Sequence, residues 1–327
     1  MALLLVDGFD HYTDTTYAGM SVLSAGKSTF SPGRFGDGRY LSAVGGCNYA
    51  IPTTASNTLI MGIALKSHSG SGGWVLSIGS NVITSSSMAS AMRLTVDGTN
   101  YDSSTGLIYD DIWNFVEVKT TFGSSGNIAV RLNGVPVPGI SDLTGANTGT
   151  KPSYTRTDPG SWVSGIYTDD YYVCDGTGSV NNDFLGDVRV ETLKPNGSGS
   201  YTQWSRGGTD SGTNWGQVDE DLADDADYVT TSGAGNKDLY SMSDLSTSIG
   251  GTVLGVQVNF RAKKSDSGTR GVCPVFMSGA SEADGTTFGT IATDWMWFHD
   301  IREDKPGGTG WTIGEVNSME AGVKVAT

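Results

Sequence analysis

The sequence predicts an all-β protein of two β-sandwich (jelly-roll) domains in tandem. Three observations carry this: apolar residues alternate with polar ones at period two, turn signals separate the alternating runs, and glycine is abundant. Successive strand side chains point to opposite faces, so Thr58 to Lys66 sets Leu59, Met61, Ile63 and Leu65 on one face. Gly251 to Arg261 likewise sets Leu254, Val256, Val258 and Phe260 against Gln257, Asn259 and Arg261. Ser69 to Gly73, Asp97-Gly98, Asn133-Gly134 and Asp175 to Gly178 supply turn chemistry between such runs. Glycine takes 47 of 327 positions without a triplet period, about twice the usual share of roughly 7%. Many tight turns between short strands require that content. Helical periodicity extends only a turn or two, near Ser318 to Ala321.

The apolar start, Met1 to Val6, reads as a first strand: it lacks a basic leader segment and is cut short by Asp7-Gly8. No apolar run reaches the length of a membrane-spanning helix. A chain of 327 residues exceeds what one core usually serves, and 37% apolar residues with 8 Trp, 13 Tyr and 10 Phe suffice for two cores. The clearest break in composition is Lys194 to Ser200, where the strand-like Asp187 to Glu191 gives way to Pro-Asn-Gly-Ser-Gly-Ser. The expected domains are therefore 1–193 and 194–327.

Lys and Arg number 20 against 35 Asp and Glu, a net charge of −15. Such a field repels phosphate backbones and anionic headgroups, which excludes nucleic acid and membrane surfaces as natural partners. Cys47, Cys174 and Cys273 are widely spaced and odd in number, so buried free thiols are expected.

Several segments resemble the laminin G-like members of the concanavalin A-like lectin/glucanase superfamily. Asp111-Ile112-Trp113-Asn114 to Lys119, followed by Asn127 to Gly134, is similar to that family's tryptophan, strand, turn, strand and Asn-Gly pattern. Val116 and Val118 would then face inward opposite Ile128, Val130 and Leu132. Gly33 to Leu41 is similar to the family's entry into an early strand, and Thr168 to Cys174 resembles its late Asp-Asp strand. The opening Leu4 to Tyr12 looks like the start of tailed-bacteriophage virion proteins with this fold. The second half resembles phage appendage proteins through Pro195-Asn196-Gly197 with Trp204, Val218 to Glu220 with Asp227 to Val229, and Trp311-Thr312 with Gly322 to Lys324. The resemblance implies a structural virion component (decoration, collar, fibre or tail-associated) assembled in the host cytoplasm. Other virion proteins and further copies of the chain would be its partners.

The spacing of the chain's residues does not fit the familiar catalytic patterns. Retaining glycosidases need two carboxyls about 5 Å apart. Asp187 and Glu191 on a regular strand would stand roughly 13 Å apart with Arg189 between them, and the glucanase Glu-x-Asp-x-Glu pattern is absent from the sequence. Gly26-Lys27-Ser28 ends like a phosphate loop but has Ser21 where the first glycine belongs. There is no G-x-S-x-G elbow, and His11, His68 and His299 are isolated. The expectation is a non-enzyme with no catalytic residues. Glycan binding is the alternative, on Trp74, Trp204 and Trp215, which lie in or beside glycine-rich polar stretches. Trp295 and Trp297 suit core or inter-subunit burial instead. Calcium is the one cofactor the composition invites: Asp219, Glu220, Asp224, Asp225 and Asp227 would supply oxygen ligands, or form a solvated acidic loop. Asp169 and Asp170 read as structural.

Overall fold

The structure is a computed structural model, which describes residues 2–11, 27–30, 32–36, 38–43, 47–67, 73–86, 91–145, 149–159, 166–208, 212–220, 224–246 and 250–326. His68, Ser69 to Gly72, Ser21, Gly26 and Asp221 to Ala223 lie outside them. The chain divides into two compact units, the second comprising Glu191–Thr327 in its main part, so the break falls slightly before Lys194. Both are β-sandwiches with antiparallel strand pairing throughout.

In unit 1 a nine-stranded sheet runs from Val135–Pro136 through Asn127–Leu132, Asn114–Thr121, Thr58–Ser67, Ile166–Asp175 and Tyr40–Ala43 to Lys27–Phe30. Leu3–Asp7 pairs with Ile166–Asp175, and Leu143–Thr144 with Asn127–Leu132. A six-stranded sheet faces it: Cys47–Ala50, Tyr154–Pro159, Trp74–Ile78, Asn81–Ser86, Ala91–Val96 and Thr99–Asp102. Alternation builds the core between them. Leu59, Met61, Ile63 and Leu65 meet Val116, Val118, Ile128, Val130, Tyr171 and Val173 from one sheet and Trp74, Leu76, Ile83 and Leu94 from the other. The hairpin at Asn133-Gly134 closes with φ of 51° and 80°, the left-handed pair that Asn and Gly tolerate.

Residues on the outer face of the nine-stranded sheet follow from the same parity. Lys66 stands opposite Tyr167, Ala64 opposite both Phe115 and Asp169, and Gly62 opposite both Glu117 and Tyr172. A bulge between Asp169 and Tyr172 puts Asp170 at φ 51°. Residues 176–190, which make no strand pairing, cross this face as a strap. Asp187 to Glu191 belongs to that irregular stretch rather than to the strand its alternation suggested. Asp187 is drawn off by Arg34, and the amide of Val190 donates to Asp170 Oδ1 at 2.7 Å instead of to a neighbouring strand.

Unit 2 packs a five-stranded sheet against a ribbon of Val256–Ala262 and Met296–Arg302. The sheet orders Pro195–Thr202, Lys237–Met242, Glu320–Val325, Val272–Ser278 and Ser281–Asp284. Phe260, Val272, Ile291 and Phe298 form one core cluster, and Phe276, Trp311, Val316, Met319 and Ala321 another. The helix lies at Ile313–Asn317, just before the expected Ser318 to Ala321, and is fixed by a capping box between Thr312 and Glu315. Cys174 and Cys273 are buried free thiols; the side chain of Cys47 lies outside the described residues.

Candidate functional site

The outer face of the nine-stranded sheet has a covered half and an open one. In the covered half, the Tyr172 hydroxyl donates to Glu117 Oε1 at 2.6 Å, and the Gly186 amide donates to the same oxygen at 2.8 Å. The Leu185 amide donates to the Tyr172 oxygen at 3.2 Å. Glu117 is fully buried, and its Oε2 has no partner among the described residues. Burial, then the neighbouring Glu117 carboxylate, pushes the Tyr172 phenol well above its ordinary range. Gly62 makes this packing fit: a Cβ there would stand 2.2 Å from the Tyr172 ring and 2.7 Å from that of Phe115. Strap residues Asp183 and Phe184 engage Lys119, at 3.1 Å, and Arg131, 4.1 Å from the Phe184 ring centroid.

Arg34 stands at the border of the two halves. Its Nη1 donates to Asp170 Oδ2 at 3.2 Å, its Nη2 to Asp187 at 2.6 and 2.7 Å, and its backbone amide to Asp169 Oδ2 at 2.9 Å. The guanidinium also lies 4.8 Å from the ring centroid of Phe35 and 5.3 Å from that of Phe115. Burial pushes the carboxyls of Asp169 and Asp170 upward despite these donors. Both therefore bind chain to chain, holding the loop at Arg34 and the strap end at Val190.

In the open half, Lys66 stands among three half-buried rings. Its Nζ is 4.9 Å from the centroid of Trp113, 5.0 Å from Tyr167 and 5.6 Å from Tyr40. Tyr40 packs at 4.9 Å on Tyr167 and edge-on at 5.9 Å to Trp113. Burial, then Tyr167, raises the Tyr40 phenol. Among the described residues Lys66 has no carboxylate partner, in a chain with an acidic excess of fifteen charges. Tyr109 and Ile112 on the approach to Trp113 are 55% and 52% exposed. A cation held on ring faces retains much of its field toward a ligand, and ring faces accept the C–H faces of sugars.

The tryptophans expected to bind glycan stand elsewhere. Trp74 is a correction: it is 0% exposed in the core of unit 1 and presents no face to a ligand. Trp204 is half-buried and tied down, its Nε1 donating to the Asn236 carbonyl and its amide to Asp238 Oδ1, both at 3.1 Å. Trp215 is half-buried in the short 3-10 turn Trp215–Gln217. Among the described residues no group of three His, Cys, Asp or Glu side chains could hold a metal ion, and Asp221, which lies within the run of Asp219, Glu220, Asp224, Asp225 and Asp227, is outside them. Asp225 bonds Arg261 at 2.5 Å instead, while Glu220 is raised by partial burial and by its acidic neighbours.

No family model matches the chain, and no curated protein matches it. Solved structures similar to it include the galectin LEC-6 of Caenorhabditis elegans, at 12% identity over 38% of this chain and 94% of that one, TM-score 0.29. The carbohydrate-binding module CBM66 of Bacillus subtilis is similar at 10% identity over 46% and 96%, TM-score 0.32. The alginate lyase vAL-1 from Chlorella virus is similar at 13% identity over 47% and 88%, TM-score 0.33. Strand pairing defines unit 1 as an antiparallel β-sandwich; at such identities and scores the likeness assigns this chain no ligand or activity. One expectation is corrected. With alginate lyases among the similar structures, the chain cannot be set down as a non-enzyme. The spacing of Asp187 and Glu191 bears on paired-carboxylate hydrolysis, and proton abstraction by other side chains does not need that pair.

Proposed function

We propose that unit 1 is a glycan-binding module whose site is the open half of the nine-stranded sheet. The observation that carries this reading is the Lys66 ammonium, ringed by Trp113, Tyr40 and Tyr167 and without a carboxylate partner among the described residues. Trp113 and the two tyrosines supply stacking surface for a sugar ring, and Lys66 takes an acidic substituent of it. Titration calorimetry with an acidic and a neutral oligosaccharide tests it. Binding that weakens about tenfold in Trp113→Ala and in Lys66→Met supports the site; heats unchanged in both variants overturn it.

A virion role is the second reading, favoured by the resemblance of Leu4 to Tyr12 and of the second half to tailed-phage proteins. The two are compatible, since an adhesion module on a particle needs both a glycan site and contacts to other virion proteins or further copies of itself. Mass spectrometry of purified particles from the producing host is the test, and particles without this chain reject it.

A further inference from the structure

The ribbon of unit 2 has one face in the core, where Phe260 and Phe298 stack at 5.3 Å between centroids. Its other face would ordinarily carry polar side chains. Instead it carries Trp297, opposite Arg261 in the register, with Trp295 two residues before it. Both indoles are half-buried within the chain, while Met296 and Phe298 pack with the core of the unit. Alternate residues of a strand lie about 7 Å apart on one face. Tyr228 meets Trp295 edge-on at 6.1 Å.

Two cations sit on these rings. The Arg261 guanidinium is 5.4 Å from the centroid of Trp297 and 5.7 Å from that of Trp295, and Lys263 Nζ is 4.6 Å from Trp295. Arg261 donates from Nη1 to Asp225 Oδ1 at 2.5 Å and from Nη2 to Asp225 Oδ2 at 3.4 Å, while its Nε is shielded and has no partner among the described residues. Lys263 is exposed and forms no ion pair among the described residues. With Arg261 paired to Asp225, Lys263 is the cation this face offers to a ligand.

The geometry points to a second carbohydrate site, on this ribbon face, for a saccharide bearing anionic groups. A pyranose ring lies on Trp297 or Trp295, and its carboxylate or sulfate meets Lys263 beside the Arg261 guanidinium. The site stands on its own residues and shares only its ligand class with the reading for unit 1.

Affinity electrophoresis of the full chain through gels containing polygalacturonate, dextran sulfate or dextran tests it, starting from a Lys66→Met, Trp113→Ala background. That background should still be retarded by an anionic polymer and not by dextran, with the retarding polymer identifying carboxylate or sulfate. Adding Lys263→Met or Trp297→Ala should weaken retardation about tenfold each, and adding both should remove it. If the wild type is retarded but the background is not, the ribbon site falls and the unit 1 site stands. Background retardation that ignores Lys263→Met and Trp297→Ala also overturns the ribbon site, as does equal retardation by dextran. A wild type that no polymer retards overturns both. Lys263→Met changes an exposed residue and keeps the test valid if Trp297→Ala fails to fold. A dimer in sedimentation that Trp297→Ala dissociates would give the face to a second copy and reject the saccharide.

Discussion

The two halves of one sheet face in unit 1 present similar chemistry to different neighbours. Glu117, Tyr172, Lys119 and Arg131 project outward by the same alternation that projects Lys66, Tyr167 and Trp113. The first group is met by the strap, whose amides and side chains answer most of its polar atoms. The second is met by its own rings. An outward polar residue on a sandwich therefore does not mark a site by itself; a site remains where no later segment of the chain supplies the partner. The carboxyl of Glu117 has two donors on one oxygen because the chain came back over it, and the ammonium of Lys66 has ring faces because, among the described residues, it did not.

The largest expected effect lies at the border between the halves. Arg34 is 8% exposed in its side chain and Asp170 2%, so Arg34→Met leaves carboxylates buried without their cation. Breaking such a pair costs about 3–5 kcal/mol, and chemical denaturation should place this variant near the lower end because Asp170 is already biased toward its neutral form. Glu117→Ala comes next. It leaves the Tyr172 hydroxyl and the Gly186 amide without their acceptor, for about 2 kcal/mol, and hydrogen exchange should quicken at Gly186 while Asn133 keeps its protection. If both variants melt like the wild type, the strap is not fastened as described and the contrast between the halves fails.

Strand content was legible because period-two alternation is written into contiguous residues, as at Thr58 to Ser67, and because Asn133-Gly134 admits one kind of turn. The candidate site was not, because Tyr40, Lys66, Trp113 and Tyr167 come from separate segments that only sheet order brings together. A signal was nevertheless present: each of the four stands one place from a buried residue, Leu41, Leu65, Asn114 and Ile166 in turn, so parity alone sets them outward. Trp74 misled because its glycine-rich surroundings suggested exposure, whereas Ser85 Oγ accepts its amide at 2.7 Å and ties it inside the six-stranded sheet. The strap was read as a strand end at Asp187 to Glu191, since nothing local in that run shows that Arg34 lies in wait for Asp187. The Thr312-x-x-Glu315 capping pattern marks the start of the helix more sharply than its short apolar periodicity does.

The pH dependence gives a smaller effect that isolates the border again. Burial raises Asp169 and Asp170 in the folded chain, so the folded state holds more protons than the unfolded one above the ordinary carboxyl range near pH 4. Stability from this pair is therefore complete below that range and is lost as pH rises through the raised values. Unit 1 should melt at a higher temperature at pH 5 than at pH 8, and Asp169→Asn should flatten the slope. An unchanged slope in Asp169→Asn would place the dependence on the general acidic excess rather than on this pair.

The smallest expected change in stability, at Lys66, bears hardest on the comparison. A cation on exposed rings contributes about 0.5–1 kcal/mol, so Lys66→Met should shift the melting temperature far less than Glu117→Ala, although both residues project from the same sheet face on paired strands. If it shifts the melt as much, the ring cluster is a structural clamp and the open half is packed rather than available. If the melt holds and acidic-sugar binding weakens about tenfold, the ammonium serves a ligand and not the fold, since the methionine stem still covers the rings that the lysine stem covered. Measured side by side, Glu117→Ala should change stability and leave sugar affinity unaltered in the folded fraction, while Lys66→Met should do the reverse. The crossing of those two effects is what separates a face closed by its own chain from one left for a partner.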